Sequence, residues 1–206
     1  METIKEALTF DDVLLVPRYS NVLPSSASTE IILSNNLKLK VPFLSSAMDT
    51  VTESKMAIAM AKSGGLGVIH RNLNIKKQCN EVLKVKRQKN LLVGAAIGTN
   101  KEDIDRAMEL IDSGVDLIVI DTAHGHSQKV IKILSKIKKI NSKVSVCVGN
   151  IATGEAAKRL YNEGANILKV GIGPGSICTT RIIAGIGVPQ ITAIMDVKDS
   201  VKNKMV

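Results

Sequence analysis

The stretch Asp112–Ile120 reads Asp-Ser-Gly-Val-Asp-Leu-Ile-Val-Ile, in which a polar segment, a glycine and a short apolar run follow one another. The same order recurs twice more in the chain, and the central glycines are 50 residues apart: Gly64, Gly114 and Gly164. Glycine adopts the left-handed conformation that closes a helix more readily than any other residue. Each repeat therefore predicts the end of a helix followed directly by a strand.

Further strand candidates lie between these repeats, at Pro42–Ala47, Leu91–Gly98 and Val144–Gly149. Each 50-residue interval then holds two strand–helix units, which is typical of an α/β barrel or an open parallel sheet. Continuous apolar runs such as Leu117–Ile120 are typical of strands buried on both faces. We predict six strands, at about residues 43–47, 66–69, 92–97, 117–121, 144–149 and 167–171, and a charged helix over 196–206.

The composition is that of a globular protein with a basic bias, because 28 Lys and Arg against 19 Asp and Glu give a net charge of +9. No uncharged apolar run is long enough to span a membrane, and Met1–Glu6 lacks the apolar core of a secretion signal. The three cysteines are an odd and widely spaced set, which excludes a disulfide framework. A reducing, cytoplasmic location is expected.

The positive charge also suggests a nucleic-acid or partner-binding module of another class, one without catalysis. Against it, the chain has only four aromatic residues, two Tyr and two Phe, whereas single-strand binders stack bases on several rings. In Lys129–Lys143 apolar residues fall at helical spacing and lysines mainly between them, which predicts an amphipathic helix with a solvated basic face. We therefore expect no nucleic-acid partner.

Polar residues and glycines follow the predicted strands, at the carboxyl ends where parallel α/β folds have their catalytic and binding residues. The segments are Ser45–Thr50, Asp121–His126, Gly149–Asn150 and Gly171–Arg181. The last of them has three glycines, a proline and a serine within six positions, and such a loop can bring backbone N–H groups close to an anion. It does not have the Gly-x-Gly-x-x-Gly spacing of a dinucleotide fingerprint.

Cys178 follows this loop and has Arg181 three positions on, so it is a candidate thiolate nucleophile, the alternative being a small buried hydrophobe. Cys147 lies inside a predicted strand and is expected to be buried, and Cys79 is expected to be a packing or helix-surface thiol. Asp121 could accept hydrogen bonds from a ribose diol or cap the next helix. His124 and His126 could bind zinc, but Asp121 is the only third ligand nearby.

Five segments together resemble those of the IMP dehydrogenases, from end to end of the chain. They are Glu6–Pro17 (Glu-Ala-Leu-Thr-Phe-Asp-Asp-Val-Leu-Leu-Val-Pro), Ser45–Glu53 (Ser-Ser-Ala-Met-Asp-Thr-Val-Thr-Glu), Asp121–Ser127 with Gly149–Asn150, the loop Gly171–Arg181, and Gly185–Gln190. The loop is highly specific for this enzyme and its relative GMP reductase, which is the alternative activity. Thr52-Glu53 and the N-terminal segment are more similar to the dehydrogenase.

The resemblance implies a (β/α)8 TIM barrel that oxidises IMP to XMP with NAD as cofactor in guanine nucleotide biosynthesis. It implies that Cys178 attacks C2 of the purine to form a covalent thioimidate, and that Thr180 assists its hydrolysis. Ser46, Met48 and Ser176 would bind the substrate. The cofactor would lie against Asp121, Thr122, Ala123, His124, Asn150, Gly171, Ile172 and Gly173. A potassium ion would be held by the carbonyl groups of Gly173, Gly175 and Cys178.

Two departures from the family pattern are apparent. The family carries paired regulatory CBS modules between its second helix and third strand, where this chain has only the short joint 86–91. The last two barrel units are also missing, so residues 1–206 are expected to form one catalytic barrel domain with about the first six β/α units. We expect that a second segment or chain completes the barrel, that 1–206 alone shows no turnover, and, from the resemblance, that the enzyme is a homotetramer.

Overall fold

The computed structural model describes residues 5–34, 36–89 and 91–201. The strands and helices follow one another in the order β1 (Ile31–Ser34), β2 (Leu37–Leu39), β3 (Leu44–Ser45), α1 (Ser54–Lys62), β4 (Leu66–Ile69), α2 (Ile75–Lys86), β5 (Val93–Ile97), α3 (Asp103–Asp112), β6 (Leu117–Asp121), α4 (Gln128–Ile140), β7 (Ser145–Ile151), α5 (Gly154–Asn162), β8 (Ile167–Val170), α6 (Thr179–Ala184) and α7 (Gln190–Ser200).

Strands β3 to β8 form one parallel sheet in which each strand pairs with the next along the chain. The sheet curls as part of a (β/α)8 barrel with helices between successive strands, which confirms the predicted fold class and all six predicted strands. In the β6–β7 pair, Leu117 lies opposite Ser145 and Asp121 opposite Gly149, so the polar ends of the two strands are level. Among the described residues the edges of β3 and β8 pair with no further strand.

The side chains of the sheet alternate between two apolar clusters, as period-two geometry requires. Ile118 and Ile120 face the helices and join the larger cluster, whereas Leu117 and Val119 belong to the smaller one inside the curled sheet. The antiparallel hairpin β1–β2, which the sequence analysis treats only as an irregular start, adds Leu37 and Leu39 to this inner cluster. The Ser34 hydroxyl lies 2.7 Å from that of Ser145, the first residue of β7, so the hairpin covers the amino end of the barrel.

The three glycines spaced 50 residues apart do close helices. Gly64, Gly114 and Gly164 have φ angles of +90°, +84° and +104°, which confirms the predicted left-handed turns. Two residues beyond Gly114, Asp116 accepts the Val93 N–H at 2.8 Å and the Lys86 ammonium at 2.9 Å. Lys86 ends α2 and Val93 begins β5, so Asp116 holds the two sides of the joint 86–91 together. We call such a side chain, together with the strand N–H and the lysine that it binds, an amino-end lock. Asn90, within the joint, lies outside the described residues.

A second lock of the same form follows Gly164. Asn166 accepts the Val146 N–H at 2.9 Å and the Lys138 ammonium at 3.2 Å. Lys138 also donates to the Val144 carbonyl at 3.0 Å, and its partial burial lowers the pKa of its ammonium group. Asp116 and Asn166, each two residues after a glycine of the repeat, thus bind the N–H groups at the starts of β5 and β7 respectively.

The predicted helices differ from the observed ones mainly at their ends. The basic helix predicted over 129–143 is α4, whose apolar stripe is buried through Ile137. The helix predicted over 196–206 begins earlier, as α7 at Gln190, and residues 202–206 lie outside the described residues. Among the described residues, no helix combines the length and the apolar character needed to span a membrane.

Candidate functional site at the carboxyl ends of the strands

The carboxyl ends of β6, β7 and β8 are tied together by polar groups. The Thr122 hydroxyl donates to the Gly149 carbonyl at 2.8 Å, and the Asn150 N–H donates to the Thr122 carbonyl at 2.8 Å. The Asn150 side-chain amide donates to the Gly171 carbonyl, also at 2.8 Å. Three residues predicted to border the cofactor therefore belong to one hydrogen-bonded network.

Gly149 allows β7 and β8 to approach closely at this end. A Cβ on Gly149 would lie 2.5 Å from the Cβ and 2.8 Å from the carbonyl oxygen of Lys169. The β7–β8 register shifts between Gly149 and Ile151, and the Gly149–Asn150 peptide is cis. A residue without a side chain is thus required where the network turns away from the sheet.

Asp121 lies at the end of β6 and pairs with Lys169 of β8, whose ammonium is 2.9 Å from its carboxylate. The alternative role of Asp121 as a helix cap is wrong, because the Ser127 hydroxyl caps α4 by accepting the Val130 N–H. The sequence analysis did not single out Lys169. The available signal was a lysine within an apolar strand, two positions from the barrel-facing Ile167.

The glycine loop after β8 folds back on its own return segment. Gly173 has φ +73° and is buried, and a Cβ there would lie 2.8 Å from the Ile186 carbonyl oxygen. The Val188 N–H donates to the Ile172 carbonyl at 3.0 Å, which closes the loop at its base. The predicted residues Pro174–Ile177 are exposed at the tip, Ser176 among them.

Cys178 leaves this tip and precedes the first residue of α6. Its N–H donates to the Gly175 carbonyl at 3.0 Å, and its side chain is half-buried. A hydrogen bond from the Thr180 hydroxyl is the largest effect lowering the pKa of this thiol, and the nearby N–H groups of Thr180 and Arg181 act in the same direction. The structure therefore brings the two predicted catalytic residues into direct contact.

The other two cysteines are buried, as the sequence analysis expected for Cys147. Desolvation is the main cause that raises the pKa of Cys147 to about 12, so this thiol stays protonated at neutral pH. Cys79 packs on the buried side of α2. Of the three thiols, Cys178 is the one that is not buried, and its pKa is lowered.

Ser46 and Met48 lie on the loop after β3, the edge strand farthest from β8 in the order of the sheet, and both are exposed. The buried Thr52 holds this loop, because its hydroxyl donates to the Ser46 carbonyl at 2.6 Å. No hydrogen bond within the described residues joins Ser46 or Met48 to the loop that carries Cys178. Ala123 and His124 are likewise exposed, and their predicted contacts with a cofactor stay predictions.

The groups that could bind a metal ion at this site are backbone carbonyl oxygens rather than the histidine and cysteine side chains of a zinc site. The described part of the chain contains no cluster of three His, Cys, Asp or Glu side chains that could hold a metal ion, and the His124 and His126 rings are 6.4 Å apart. The carbonyl groups of Gly173, Gly175 and Cys178 are oxygen donors, which fit a large monovalent cation. Gly175 leaves the loop open on that side, since a Cβ there would have no neighbour closer than 3.8 Å.

The fold and the site thus define a parallel α/β barrel protein with a half-buried cysteine on a glycine loop at the carboxyl end of its sheet. Residues 7–206 match the model of the IMP dehydrogenase / GMP reductase domain. The chain belongs to this family.

Relatives with assigned names agree with this result. The chain is 46% identical to the inosine-5'-monophosphate dehydrogenase of Borreliella burgdorferi, over 97% of this chain and 61% of the relative. It is 48% identical to that of Cryptosporidium parvum, over 94% of this chain and 58% of the relative. It is 35% identical to that of Aquifex aeolicus, over 94% of this chain and 65% of the relative.

This chain spans about three fifths of the length of these relatives. The match to the Aquifex aeolicus protein extends over 320 aligned residues, more than the 206 of this chain. That relative therefore has residues within the matched region that have no counterpart here.

Proposed function

We propose that this chain is the cysteine-bearing part of an NAD-dependent IMP dehydrogenase, which oxidises IMP to XMP. The observation that carries the proposal is the Cys178 thiol, whose pKa is lowered by the Thr180 hydroxyl at the end of a glycine loop, in a chain of this family. Named relatives that bear the same activity support the choice of substrate.

In the proposed reaction the Cys178 thiolate attacks C2 of the purine and forms a C–S bond. The hydrogen on C2 leaves with its electron pair, so the nucleotide is oxidised and remains attached to sulfur as a thioimidate. Water then adds to C2, the C–S bond breaks with its electrons returning to sulfur, and one proton is released. Two easier steps thereby replace one difficult displacement.

NAD, when bound, supplies the acceptor for this hydride. Asp121 would accept hydrogen bonds from a ribose diol of the cofactor, and its ion pair with Lys169, which holds the carboxylate at the end of β6, supports this role. Thr122 and Asn150 keep the three strand ends together, and Asn150 orients the Gly171 carbonyl. We propose that Ala123, His124 and the Gly171–Gly173 backbone border the same cofactor.

Substrate and cation would meet at the glycine loop. Ser176 at its tip has an exposed hydroxyl and would contact the phosphate of IMP, while Ser46 and Met48 would line the nucleotide pocket. The carbonyl groups of Gly173, Gly175 and Cys178 would hold potassium, which would restrict the loop in the form that presents the thiol.

We further propose that turnover needs more polypeptide than residues 1–206. The open edges of β3 and β8 within the described residues, together with the greater length of the relatives, support a barrel completed by another segment or chain. The joint 86–91 is the proposed position of the missing CBS modules, and a homotetramer is the proposed assembly.

The test combines thiol alkylation with turnover. Chain 1–206 is mixed with the C-terminal remainder of the Borreliella burgdorferi relative, and NADH formation is followed with IMP and NAD. We expect NADH only from the mixture, at least tenfold slower alkylation of Cys178 when IMP is present, and loss of NADH formation but not of IMP binding in Cys178→Ala. The control Cys79→Ala should retain turnover.

Three results would contradict the proposal. Equal loss of IMP binding and turnover in Cys178→Ala would show a structural cysteine. Consumption of NADPH with GMP and release of ammonia, without NADH formation from IMP, would identify a GMP reductase. Tight, salt-sensitive RNA or DNA binding that survives Cys178→Ala, without turnover in the mixture, would identify a binding module.

A further inference from the structure

A buried histidine, His70, lies directly after β4 and beside the loop that connects β3 to α1. Only 3% of its surface is exposed, and the proposed reaction assigns it no role. We call residues 46–53 the β3–α1 loop. This loop carries Ser46 and Met48, the two residues proposed to line the nucleotide pocket.

Thr52 holds the backbone of both proposed substrate residues. Its hydroxyl donates to the Ser46 carbonyl at 2.6 Å, and its N–H donates to the Met48 carbonyl at 3.0 Å. The Val51 N–H donates to the same Met48 carbonyl, also at 3.0 Å. Because Thr52 is fully buried, its position determines where the exposed part of the loop lies.

His70 binds the end of the loop through its backbone and through its ring. Its N–H donates to the Thr52 carbonyl at 3.4 Å, and its Nε2 lies 3.3 Å from Glu53 Oε1. The other ring nitrogen, Nδ1, accepts the Asn72 N–H at 3.1 Å. Since a ring nitrogen that accepts carries no hydrogen, the ring hydrogen is on Nε2 and is donated to the Glu53 carboxylate.

Asn72 makes a further connection, to the middle of the loop. Its side-chain amide donates to Asp49 Oδ2 at 3.0 Å. The two nitrogens of the His70 ring therefore act on two parts of the loop, Nε2 directly at Glu53 and Nδ1 by holding the residue that binds Asp49. Among the described residues, no hydrogen bond joins residues 70–72 to the glycine loop 171–181 that carries Cys178.

We propose that His70 is a positioning residue for substrate binding, which acts on Ser46 and Met48 through the β3–α1 loop. The proposal rests on the proposed function, since the contact of those two residues with IMP is part of it. A loop that is already held in place loses less conformational freedom when a ligand binds. Loss of the His70 ring should therefore weaken the binding of IMP, whereas the reaction at Cys178 should continue at nearly the same rate once IMP is bound.

The test separates the two ring nitrogens by substitution. His70→Asn keeps a side-chain acceptor close to the position of Nδ1, His70→Gln keeps a donor close to that of Nε2, and His70→Leu removes both. NADH formation with IMP and NAD is measured for chain 1–206 mixed with the C-terminal remainder of the Borreliella burgdorferi relative. We expect the KM for IMP to rise at least tenfold in His70→Leu with kcat changed less than threefold, and at least one of the other two variants to recover most of this loss.

Asp116→Ala is the control for general instability. It disrupts an amino-end lock, at the opposite end of the barrel from the β3–α1 loop, and should leave the KM for IMP within twofold of that of the unsubstituted chain.

A second measurement needs neither IMP nor NAD. Amide hydrogen exchange of Val51 and Thr52, whose N–H groups bind the Met48 carbonyl, is compared with that of Ile131 in α4. We expect His70→Leu to accelerate exchange at Val51 and Thr52 at least tenfold more than at Ile131, because the loop is released while the rest of the fold is kept.

The proposal is overturned if kcat falls as much as the KM rises, if Asp116→Ala raises the KM as much as His70→Leu does, or if neither amide variant recovers any of the loss. An unsubstituted mixture that forms no NADH would refute the proposed function instead. The exchange measurement would then still decide whether His70 holds the loop, because equal acceleration at Val51 and Ile131, or none at either, would show that it does not.

Discussion

Replacing Asp116 by alanine should destabilise the barrel far more than its partly exposed carboxylate would suggest. The side chain accepts the N–H of Val93, which is fully buried, at 2.8 Å, and the Lys86 ammonium at 2.9 Å. In Asp116→Ala the buried N–H loses its acceptor, which costs about 1–3 kcal/mol. Loss of the partly exposed ion pair adds only about 0.2–1 kcal/mol. The expected decrease in the free energy of unfolding is therefore about 2–3 kcal/mol.

Urea unfolding measures this decrease directly. With a slope of about 2 kcal/mol per molar, the midpoint should fall by about 1 M at unchanged slope. Asp116→Asn keeps an oxygen for the Val93 N–H and loses only the charge, so it should cost less than about 1 kcal/mol. Asn166→Ala removes the same kind of acceptor from Val146 without a carboxylate, and should cost about 1–3 kcal/mol.

The reasoning fails if the buried N–H is not the dominant contribution. An Asp116→Asn variant as unstable as Asp116→Ala would show that the charge of the pair matters most. A decrease below about 0.5 kcal/mol in Asp116→Ala, the range of ordinary surface substitutions, would show that water replaces the carboxylate without loss.

Three further predictions concern the site and the joint. Alkylation of Cys178 should rise with pH around a midpoint below that of an unperturbed thiol, measured on a free cysteine peptide, because the pKa of Cys178 is lowered. Thr180→Val should raise that midpoint, and an unchanged midpoint would contradict the role of the Thr180 hydroxyl. Gly149→Ala should lower the free energy of unfolding by about 1–3 kcal/mol through overpacking against Lys169, whereas Gly175→Ala, with no neighbour within 3.8 Å, should leave it almost unchanged. Insertion of a flexible segment of about 20 residues between Gln88 and Lys89 should cost only about 1 kcal/mol in urea unfolding, the entropy of closing a longer loop. A loss of folding would argue against the joint as an insertion point.

The sequence predicts the sheet well because two local signals coincide at every second strand, β4, β6 and β8, and apolar runs mark the strands between them. Gly64, Gly114 and Gly164 occupy positions with positive φ that favour glycine, and apolar runs follow them directly. The same signals do not predict the β1–β2 hairpin. Its strands have only four and three residues, and they pack on the inner cluster through Leu37 and Leu39, a contact that no local pattern announces.

The candidate site is predictable where its residues are neighbours in sequence. Cys178 and Thr180 are two positions apart, so a hydrogen bond between them follows from the start of one short helix. Lys169 and Asp121 are 48 residues apart, and their contact depends on the register of β6, β7 and β8.

The contacts at the amino end of the barrel therefore stabilise the fold, whereas the polar groups at the carboxyl end form the candidate site. At the amino end, each lock uses one side chain to satisfy a buried strand N–H and a lysine from the preceding helix, which leaves the intervening joint free to vary in length. At the carboxyl end, polar groups bind one another across strands but leave the tip of the glycine loop exposed. An insertion at the joint should therefore leave Cys178 in place, because the contacts that position the thiol lie beyond β8 and involve none of the residues of the joint.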